Sequence, residues 1–119
     1  MEIHVSDRNL RAALRDDAGC VRRYGTEMAR KLRLRLAALR AADSLEAFWP
    51  PKSGPERCHE LKGDRAGSFS IDLKHPYRLL FGPYPSTTSP APQPERLDEQ
   101  QRWAAINAID ILGIEDTHG

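Results

Sequence analysis

Apolar and polar residues alternate with a period of two in several short segments of the chain, which is typical of β-strands that bury one face. The first segment is MEIHVS at residues 1–6, and two more are GSFSIDL at residues 67–73 and YRLLF at residues 77–81. CHELKG at residues 58–63 and INAIDILGIEDTH at residues 106–118 predict a further short strand and a last strand that crosses the sheet. The residues expected to face the core from the regular segments are Ile3, Val5, Phe69, Ile71, Leu73, Tyr77, Leu79 and Phe81.

Two helices are predicted after the first strand. Ser6 or Asp7 can cap a first helix that continues through Asp17, and Gly19 is expected to stop it. A second helix is expected to start at Thr26, whose hydroxyl can accept from the free N–H groups of the first turn. It should end at the turn WPPKSGP, because proline lacks the N–H that a continuing helix needs.

The second helix has one apolar stripe and one basic face. The stripe, with i, i+4 and i+3 steps that predict burial, consists of Met28, Leu32, Leu36 and Leu39. The arginines that lie off this stripe are Arg30, Arg33 and Arg40. The helix should therefore pack one face and expose a basic one.

The segment that begins at Gly82 is rich in Pro, Ser and Thr and cannot supply a packed face. We predict a loop over about residues 82–97, inserted between strands; the alternative is an interdomain linker. A short helix at about Leu97–Ala105, carrying Trp103, and the last strand follow it. Because this remainder is too short for a second domain, we expect a single domain over residues 1–119.

Length and charge limit the class of protein. A chain of 119 residues and 13.4 kDa is the size of one ordinary domain, which can bury a core without a metal or disulfides. The net charge is +1, but residues 1–40 carry +5, residues 41–90 carry 0 and residues 91–119 carry −4. The N-terminal third is therefore basic and the C-terminal end acidic.

Cysteine usage and hydropathy indicate the compartment. Cys20 and Cys58 occur without CxxC spacing or a run of Cys and His, so we expect two reduced thiols rather than a metal cage or a disulfide framework. No apolar leader segment follows Met1, and nowhere do about 18 apolar residues run together as a membrane span requires. The sequence therefore predicts a soluble, cytoplasmic protein.

Asp116 and His118 form the first candidate site. Residues i and i+2 of a strand project from the same face, so the Asp116 carboxylate can orient or charge-stabilise the His118 imidazole. The alternative is a solvated tail, because residues near a chain end are commonly exposed.

His59, Lys62 and Arg78 form the second candidate site. Cleavage of RNA by its own 2′-OH needs a base, an acid and cations that stabilise a negatively charged phosphorane. Histidine suits proton transfer near neutral pH, Lys and Arg donate to phosphate oxygens, and no metal is required. His59 and Lys62 are three residues apart, so they converge only if the chain turns near Gly63. The alternative is a basic strand edge that discourages aggregation.

Four blocks of the sequence, in this order, resemble the RelE/ParE superfamily of toxins, and in particular the HigB type. HELKGD resembles the family's H-x-L-K-G-D, GSFS its G-x-[FW]-S strand, YRLLF its [WY]-R-[IL]-x-F strand, and IEDTH its terminal E-D-Y-H. The likeness runs through most of the chain, including the Arg-rich helix KLRLRLAAL. It implies an α+β, RelE-like fold, in which an N-terminal strand and two helices pack on a twisted, mainly antiparallel sheet of four to five strands.

The resemblance also implies an activity. Toxins of this type are metal-independent endoribonucleases without a cofactor, which cleave mRNA on the translating ribosome and are held inactive by a HigA-like helix-turn-helix antitoxin. The family's site falls on His59, Lys62, Arg78, Asp116 and His118. His118 or His59 is expected to transfer protons, with Asp116 orienting His118. Lys62 and Arg78 are expected to stabilise the scissile phosphate.

More peripheral contacts to RNA or the ribosome are expected from Arg65 and Tyr77. The basic face of the second helix is interpreted in two ways. Arg30, Arg33 and Arg40 either hold ribosomal RNA through its phosphates or form a solvated face.

Two departures from the family pattern leave a second function open. Thr117 stands where the family has a terminal tyrosine, and threonine has no ring to stack on a base, so Tyr77 or another aromatic residue would have to replace it. The insertion after Gly82 is also longer than the usual short hairpin. The alternatives are a non-catalytic toxin of the ParE type and a degenerate RelE-fold binding partner, both acting through protein–protein contacts.

Overall fold

The computed structural model describes residues 1–85 and 98–116. The elements in these two ranges are β1 (Glu2–Val5), α1 (Arg8–Ala13), α2 (Asp17–Tyr24), α3 (Thr26–Ala41), β2 (His59–Glu60), β3 (Phe69–Asp72), β4 (Tyr77–Pro83), α4 (Glu99–Ala104) and β5 (Ala108–Asp116). Short 3-10 turns lie at Leu45–Phe48 and Gly63–Arg65.

The five strands form one sheet in the order β1-β5-β4-β3-β2. β1 runs parallel to β5, and the other neighbouring pairs are antiparallel. β4 therefore lies at the centre of the sheet, between β3 and β5. This is the mainly antiparallel α+β arrangement that the sequence predicts.

The helices cover one face of this sheet. Leu79 and Phe81 of β4 are fully buried, and they belong to one core cluster with the α3 stripe of Met28, Leu32, Leu36 and Leu39. Trp103 of α4 is also fully buried and packs edge-on against Trp49 and Phe69, with ring centroids 5.1 and 5.6 Å apart. The predicted burial of the α3 stripe is confirmed.

The N-terminal helical region contains three helices where the sequence pattern predicted two. Asp7 caps α1 as expected, accepting from the N–H groups of Asn9 and Leu10. A second cap follows at Asp16, which is extended (φ −150°, ψ 154°) and accepts from the N–H of Gly19. Because this cap starts α2, the first helix does not reach Asp17, and Gly19 lies inside α2 instead of ending a helix.

The long helix α3 is shorter than predicted. Gly25, in a left-handed conformation (φ +87°), separates it from α2, and no side chain caps it, so the predicted Thr26 cap is wrong. Ala42 is extended (φ −75°, ψ 140°) and ends the helix at Ala41. The 3-10 turn that follows has its own cap, Ser44, whose hydroxyl accepts from the N–H of Glu46 at 3.3 Å.

The predicted loop begins later than Gly82. β4 continues through Gly82 and Pro83, which pair with Asp110 and Ile109 of β5. Residues 86–97, which hold most of that prediction, lie outside the described ranges. The helix predicted around Trp103 is present as α4.

Both cysteines are buried free thiols. Burial raises the pKa of the Cys58 thiol to about 12, so this group stays protonated at neutral pH. None of the helices within residues 1–85 and 98–116 is long and apolar enough to cross a membrane.

Arg35 is a buried cation in α3 that the apolar stripe did not reveal. Its side chain connects the helix to two other segments, because Nε donates to the Asp72 carbonyl at 2.7 Å and Nη2 donates to the Pro55 carbonyl at 3.2 Å. Both carbonyls need a donor where water is excluded. Arg35 therefore fixes α3 against the end of β3 and the segment before β2.

We predict that Arg35→Ala lowers the free energy of unfolding by about 2–4 kcal/mol, since it leaves two carbonyls unpaired and opens a cavity. The matched control is Arg30→Ala, an exposed position of the same helix, which should change stability by at most about 0.5 kcal/mol. Urea unfolding followed by circular dichroism measures both. Equal stability of the two variants would contradict the bridging role of Arg35.

Candidate functional site

The side chains of β4 alternate between the two faces of the sheet, and these faces differ chemically. Leu79 and Phe81 point into the core under the helices, whereas Arg78 and Leu80 point to the other side. In register, Arg78 lies opposite Glu115 of β5. We call the face defined by Arg78, Leu80 and Glu115 the outer face.

Two arginines converge on one carboxylate of the outer face. Arg78 Nη2 donates to Glu115 Oε1 at 2.6 Å, and Arg65 Nη1 donates to the same oxygen at 2.9 Å. Arg65 Nη2 donates to Glu115 Oε2, which makes the Arg65 contact bidentate. We call these three side chains the arginine cluster. Its net charge is +1 while Glu115 is ionised.

The ion pairs of the arginine cluster shift the pKa values of its members. Hydrogen bonds from Arg65 and then from Arg78 lower the pKa of the Glu115 carboxyl to about 2. The same carboxylate raises the pKa of Arg65. Arg78 is the most enclosed member, with 19% of its side chain exposed, and its buried Nε meets no acceptor among the residues that the structure describes.

The turn after β2 carries Arg65 onto the outer face. Gly63 adopts φ +70°, a conformation that residues with a Cβ rarely take, and it opens the 3-10 turn that ends at Arg65. The turn is held by Glu60, whose Oε2 accepts from the N–H of Gly67 at 3.0 Å. Lys62 is exposed just before this turn and makes no ion pair with any described residue. The predicted turn at Gly63 is confirmed.

His59 lies on β2 in a defined tautomeric environment. Its Nδ1 is 2.9 Å from the Arg57 carbonyl, and because a carbonyl only accepts, Nδ1 carries the proton in the neutral ring. Nε2 is then an acceptor, and the Ser70 hydroxyl, on the residue opposite His59 in register, can donate to it at 3.5 Å. His59 is half-buried and Ser70 is fully buried. The Arg57 carbonyl and Ser70 thus fix the orientation of the His59 ring.

The other predicted site residues of β4 and β5 do not share the outer face. Tyr77 lies opposite Asp116 in register, and residues directly opposite share a face, so both project to the side away from Arg78 and Glu115. Tyr77 is 40% exposed and lines a cavity of about 360 Å³ with residues of α1 and α2, among them Arg23 and Tyr24. The core position predicted for Tyr77 is therefore wrong. Thr117 and His118 lie outside the described residues.

The basic residues of α3 form a separate surface. Arg30, Arg33 and Arg40 are exposed, on a helix that packs against the sheet face opposite to the arginine cluster. Arg33 Nη1 lies 3.3 Å from Asp17 Oδ1, so part of its charge is matched locally. The α3 arginines and the arginine cluster thus lie on opposite sides of the sheet.

Glu115 and Ser70 are the residues that sequence reasoning missed. Glu115 belongs to the block IEDTH, but without the register of β4 and β5 nothing indicated that it, rather than Asp116, faces Arg78. Among residues 1–85 and 98–116, no group of three or more His, Cys, Asp and Glu side chains is arranged to hold a metal ion.

Comparison with known proteins identifies the fold. No protein-family model and no curated protein matches the chain. A solved structure titled YoeB/ParE toxin from Agrobacterium tumefaciens superposes with a TM-score of 0.53 at 14% identity, over 98% of each chain. The chain has the RelE-like fold. The YoeB dimer from Staphylococcus aureus gives a TM-score of 0.50 at 16% identity, over 95% of this chain and 92% of that one.

The predicted fold class is confirmed by these two structures. At 14% and 16% identity the likeness is one of fold, so the HigB-type branch stays a prediction.

The arginine cluster makes the titration of Glu115 a direct test of the site geometry. The carboxyl carbon of Glu115, followed by NMR, should titrate near pH 2 instead of the ordinary 4.5. Because the folded-state pKa is lowered, the stabilisation is complete above about pH 4.5 and is lost as the pH falls toward 2. Arg65→Ala should move the midpoint upward.

The control for this titration is Lys74→Ala, which removes a different ion pair, the one with Glu27 at 2.8 Å, and should leave Glu115 unchanged. A wild-type midpoint near 4.5 would show that the cluster does not form.

Proposed function

We propose that the protein is the toxin of a type II toxin–antitoxin system and that it inhibits translation as a metal-independent endoribonuclease, which cleaves mRNA on the translating ribosome. The observation that supports this most strongly is the convergence of Arg65 and Arg78 on one carboxylate of the outer face. Guanidinium groups that donate to a carboxylate in this way can also donate to a phosphate, because two oxygens of a phosphate accept bidentate contacts from Arg as a carboxylate does. The RelE-like fold and the four sequence blocks support the same function.

In the proposed reaction the RNA is its own nucleophile. The 2′-oxygen attacks the adjacent phosphorus while a base takes its proton, and the bond to the 5′-oxygen breaks as an acid protonates that oxygen. The products are a 2′,3′-cyclic phosphate and a free 5′-hydroxyl. His59 is the proposed base, because Nε2 carries the lone pair when Nδ1 donates to the Arg57 carbonyl, and its hydrogen bond with Ser70 Oγ, at 3.5 Å, is long. His118, outside the described residues, stays the proposed acid. The orienting role predicted for Asp116 is not carried into this proposal, because Asp116 projects from the face of β5 opposite to Glu115.

The cations have distinct proposed roles. Arg78 would hold the scissile phosphate with the Nη2 group that now donates to Glu115. Arg65 and Lys62, from the turn after β2, would stabilise the charge that develops in the phosphorane. A phosphate must displace Glu115 from these donors. RNA binding should therefore require that the RNA place a phosphate directly at the arginine cluster.

We further propose the partners that this function requires. A HigA-like helix-turn-helix antitoxin would hold the toxin inactive, and the ribosome and its mRNA would be the cytoplasmic targets. Arg30, Arg33 and Arg40 of α3 are a candidate contact with ribosomal RNA, away from the outer face. No cofactor enters the proposal.

A second candidate function is a non-catalytic toxin of the ParE kind, acting through protein contacts. Glu115 favours it, because this residue neutralises half of the guanidinium charge at the site. Thr117 favours it as well, since it lacks the ring expected at the end of the family motif. Under this reading the outer face binds a protein surface instead of RNA.

Induced expression in a bacterial host separates the two candidates. The endoribonuclease reading predicts growth arrest with mRNA cleaved only while ribosomes are translating, and it predicts that Arg78→Ala slows cleavage by about 100-fold, as loss of one charge-stabilising donor does. His59→Ala should also reduce cleavage. The matched control is Arg8→Ala. Arg8 is an exposed arginine of α1, a helix that packs on the opposite side of the sheet, so this variant should cleave like the wild type.

Two outcomes would contradict the proposal. Wild-type cleavage by a folded variant that carries both Arg78→Ala and His59→Ala would overturn the site. A DNA-damage response without mRNA cleavage would overturn the endoribonuclease and support the ParE-like alternative.

A further inference from the structure

A groove runs along the outer face next to the arginine cluster. It has a volume of about 260 Å³ and lies between the turn after Arg65 and the strands β4 and β5. The residues that line it are Ala66, Gly67, Ser68, Gly82, Pro83, Asp110 and Leu112. None of them belongs to the catalytic set described above.

The groove and the arginine cluster are parts of one surface. Gly82 follows Arg78 by four residues on β4, so both project to the outer face, about 13 Å apart along the strand. Ala66 directly follows Arg65, so the turn that supplies one guanidinium also supplies one wall of the groove. An RNA strand whose phosphate lies on Arg78 would therefore reach the groove with a neighbouring nucleotide.

The shape of the groove suits a flat ring. Its floor is Gly82, where an added Cβ would meet nothing closer than the Gly67 carbonyl oxygen at 3.9 Å, so the missing side chain leaves a slot between turn and sheet. Leu112, 45% exposed, is an apolar wall on β5. The volume is below the range of about 300–1,000 Å³ found for drug-sized ligands, which favours a single ring system.

Aromatic rings continue this surface beyond Pro83. Tyr84 stacks on His4 with ring centroids 3.6 Å apart and an angle of 19° between the ring planes. His4 lies opposite Asp110 in register, and Tyr84 is 43% exposed. An exposed aromatic ring offers a surface on which a base of single-stranded nucleic acid can stack.

Asp110 gives the groove a chemical preference. Its Oδ1 accepts from the N–H of Ser6 at 2.9 Å and its Oδ2 accepts from the Ser6 hydroxyl, which fixes the carboxylate and uses two of about four acceptor positions. The remaining positions can accept from the exocyclic amino group of adenine or cytosine. Uracil presents a carbonyl oxygen at the corresponding position, which a carboxylate repels.

We propose that this groove binds one nucleobase of the RNA whose phosphate lies on Arg65 and Arg78, and that Asp110 selects a base with an amino group. This inference rests on the proposed function, because it needs RNA on the outer face. It assigns base preference to Gly82, Asp110 and Leu112, and it leaves affinity for the RNA backbone to the arginine cluster.

Binding of end-labelled ten-nucleotide RNAs tests the proposal, measured by fluorescence anisotropy at low salt and neutral pH. The wild type should bind oligo(A) and oligo(C) about tenfold more tightly than oligo(U), as expected for one base contact of this kind. Asp110→Asn should remove this discrimination. Gly82→Ala adds a methyl group to the floor of the groove, 3.9 Å from the Gly67 carbonyl oxygen, which is an ordinary contact distance. This variant should bind oligo(A) and oligo(C) more weakly, with affinities close to that for oligo(U).

Two exposed leucines provide a matched pair of variants. Leu112→Ala, in the groove, should weaken oligo(A) binding several-fold, whereas Leu34→Ala, 50% exposed on α3, should have no effect. Because both leucines are exposed, both variants should fold, which thermal unfolding verifies, and the test stays decisive even if Gly82→Ala does not fold.

The outcomes separate this inference from the proposed function. Binding that depends on Arg78 but is equal for the three oligonucleotides, and unchanged in Leu112→Ala and Asp110→Asn, would overturn the base site and leave the proposed function standing. Absence of binding by the wild type would overturn the base site, whereas the proposed function, which acts on ribosome-bound mRNA, is overturned only by the expression experiment described above.

Discussion

The alternation of side chains along the central strand β4 is the constraint on which the rest of the structure depends. Burial of Leu79 and Phe81 against α3 contributes a large part of the core, with about 1.5–3 kcal/mol from each side chain. A shift of register by one residue would expose both and bury Arg78, so the register is strongly determined. The position of Arg78 on the outer face is thus a consequence of core packing, and the central strand of the sheet holds its backbone in place.

The arginine cluster has two roles that oppose each other. In the molecule without RNA, Glu115 compensates the repulsion between Arg65 and Arg78 and holds both in place. The same carboxylate occupies the donors that a phosphate would need. Because Arg65 is 43% exposed and Glu115 30%, the ion pairs are open to water and salt, so a polyanion can replace Glu115 at modest cost. The site is organised before binding and is accessible to an RNA strand.

The sequence predicted those parts of the fold that follow from local periodicity. The α3 stripe and the strands β3 and β4 have unambiguous patterns, and their burial could be foreseen. The division between α1 and α2 could not be foreseen. It depends on Asp16 capping a new helix, and a single aspartate inside a helical pattern does not by itself indicate a helix start. Tyr77 continued the apolar alternation but lies at the end of β4, where the core no longer covers it.

The candidate site was only partly predictable for a similar reason. Arg78 and His59 were proposed as site residues from residue type and motif, and the turn at Gly63 was predicted because His59 and Lys62 are three residues apart. The pairing of Arg65 and Arg78 through Glu115 joins residues from three segments, and the groove over Gly82 depends on a bulge between Leu80 and Phe81 in the pairing with β5. Strand register over such distances is decided by tertiary packing, which no local pattern records.

The central claim is that RNA binds the outer face of the sheet at the arginine cluster. It is tested most directly by NMR of the arginine Nε–H groups during titration with a short RNA at low salt. The account predicts that the signals of Arg65 and Arg78 shift together with the backbone amides of β4 and β5, whether or not those of Arg30, Arg33 and Arg40 on α3 also shift. Shifts confined to the α3 arginines, with the Arg65 and Arg78 signals unchanged, would contradict it.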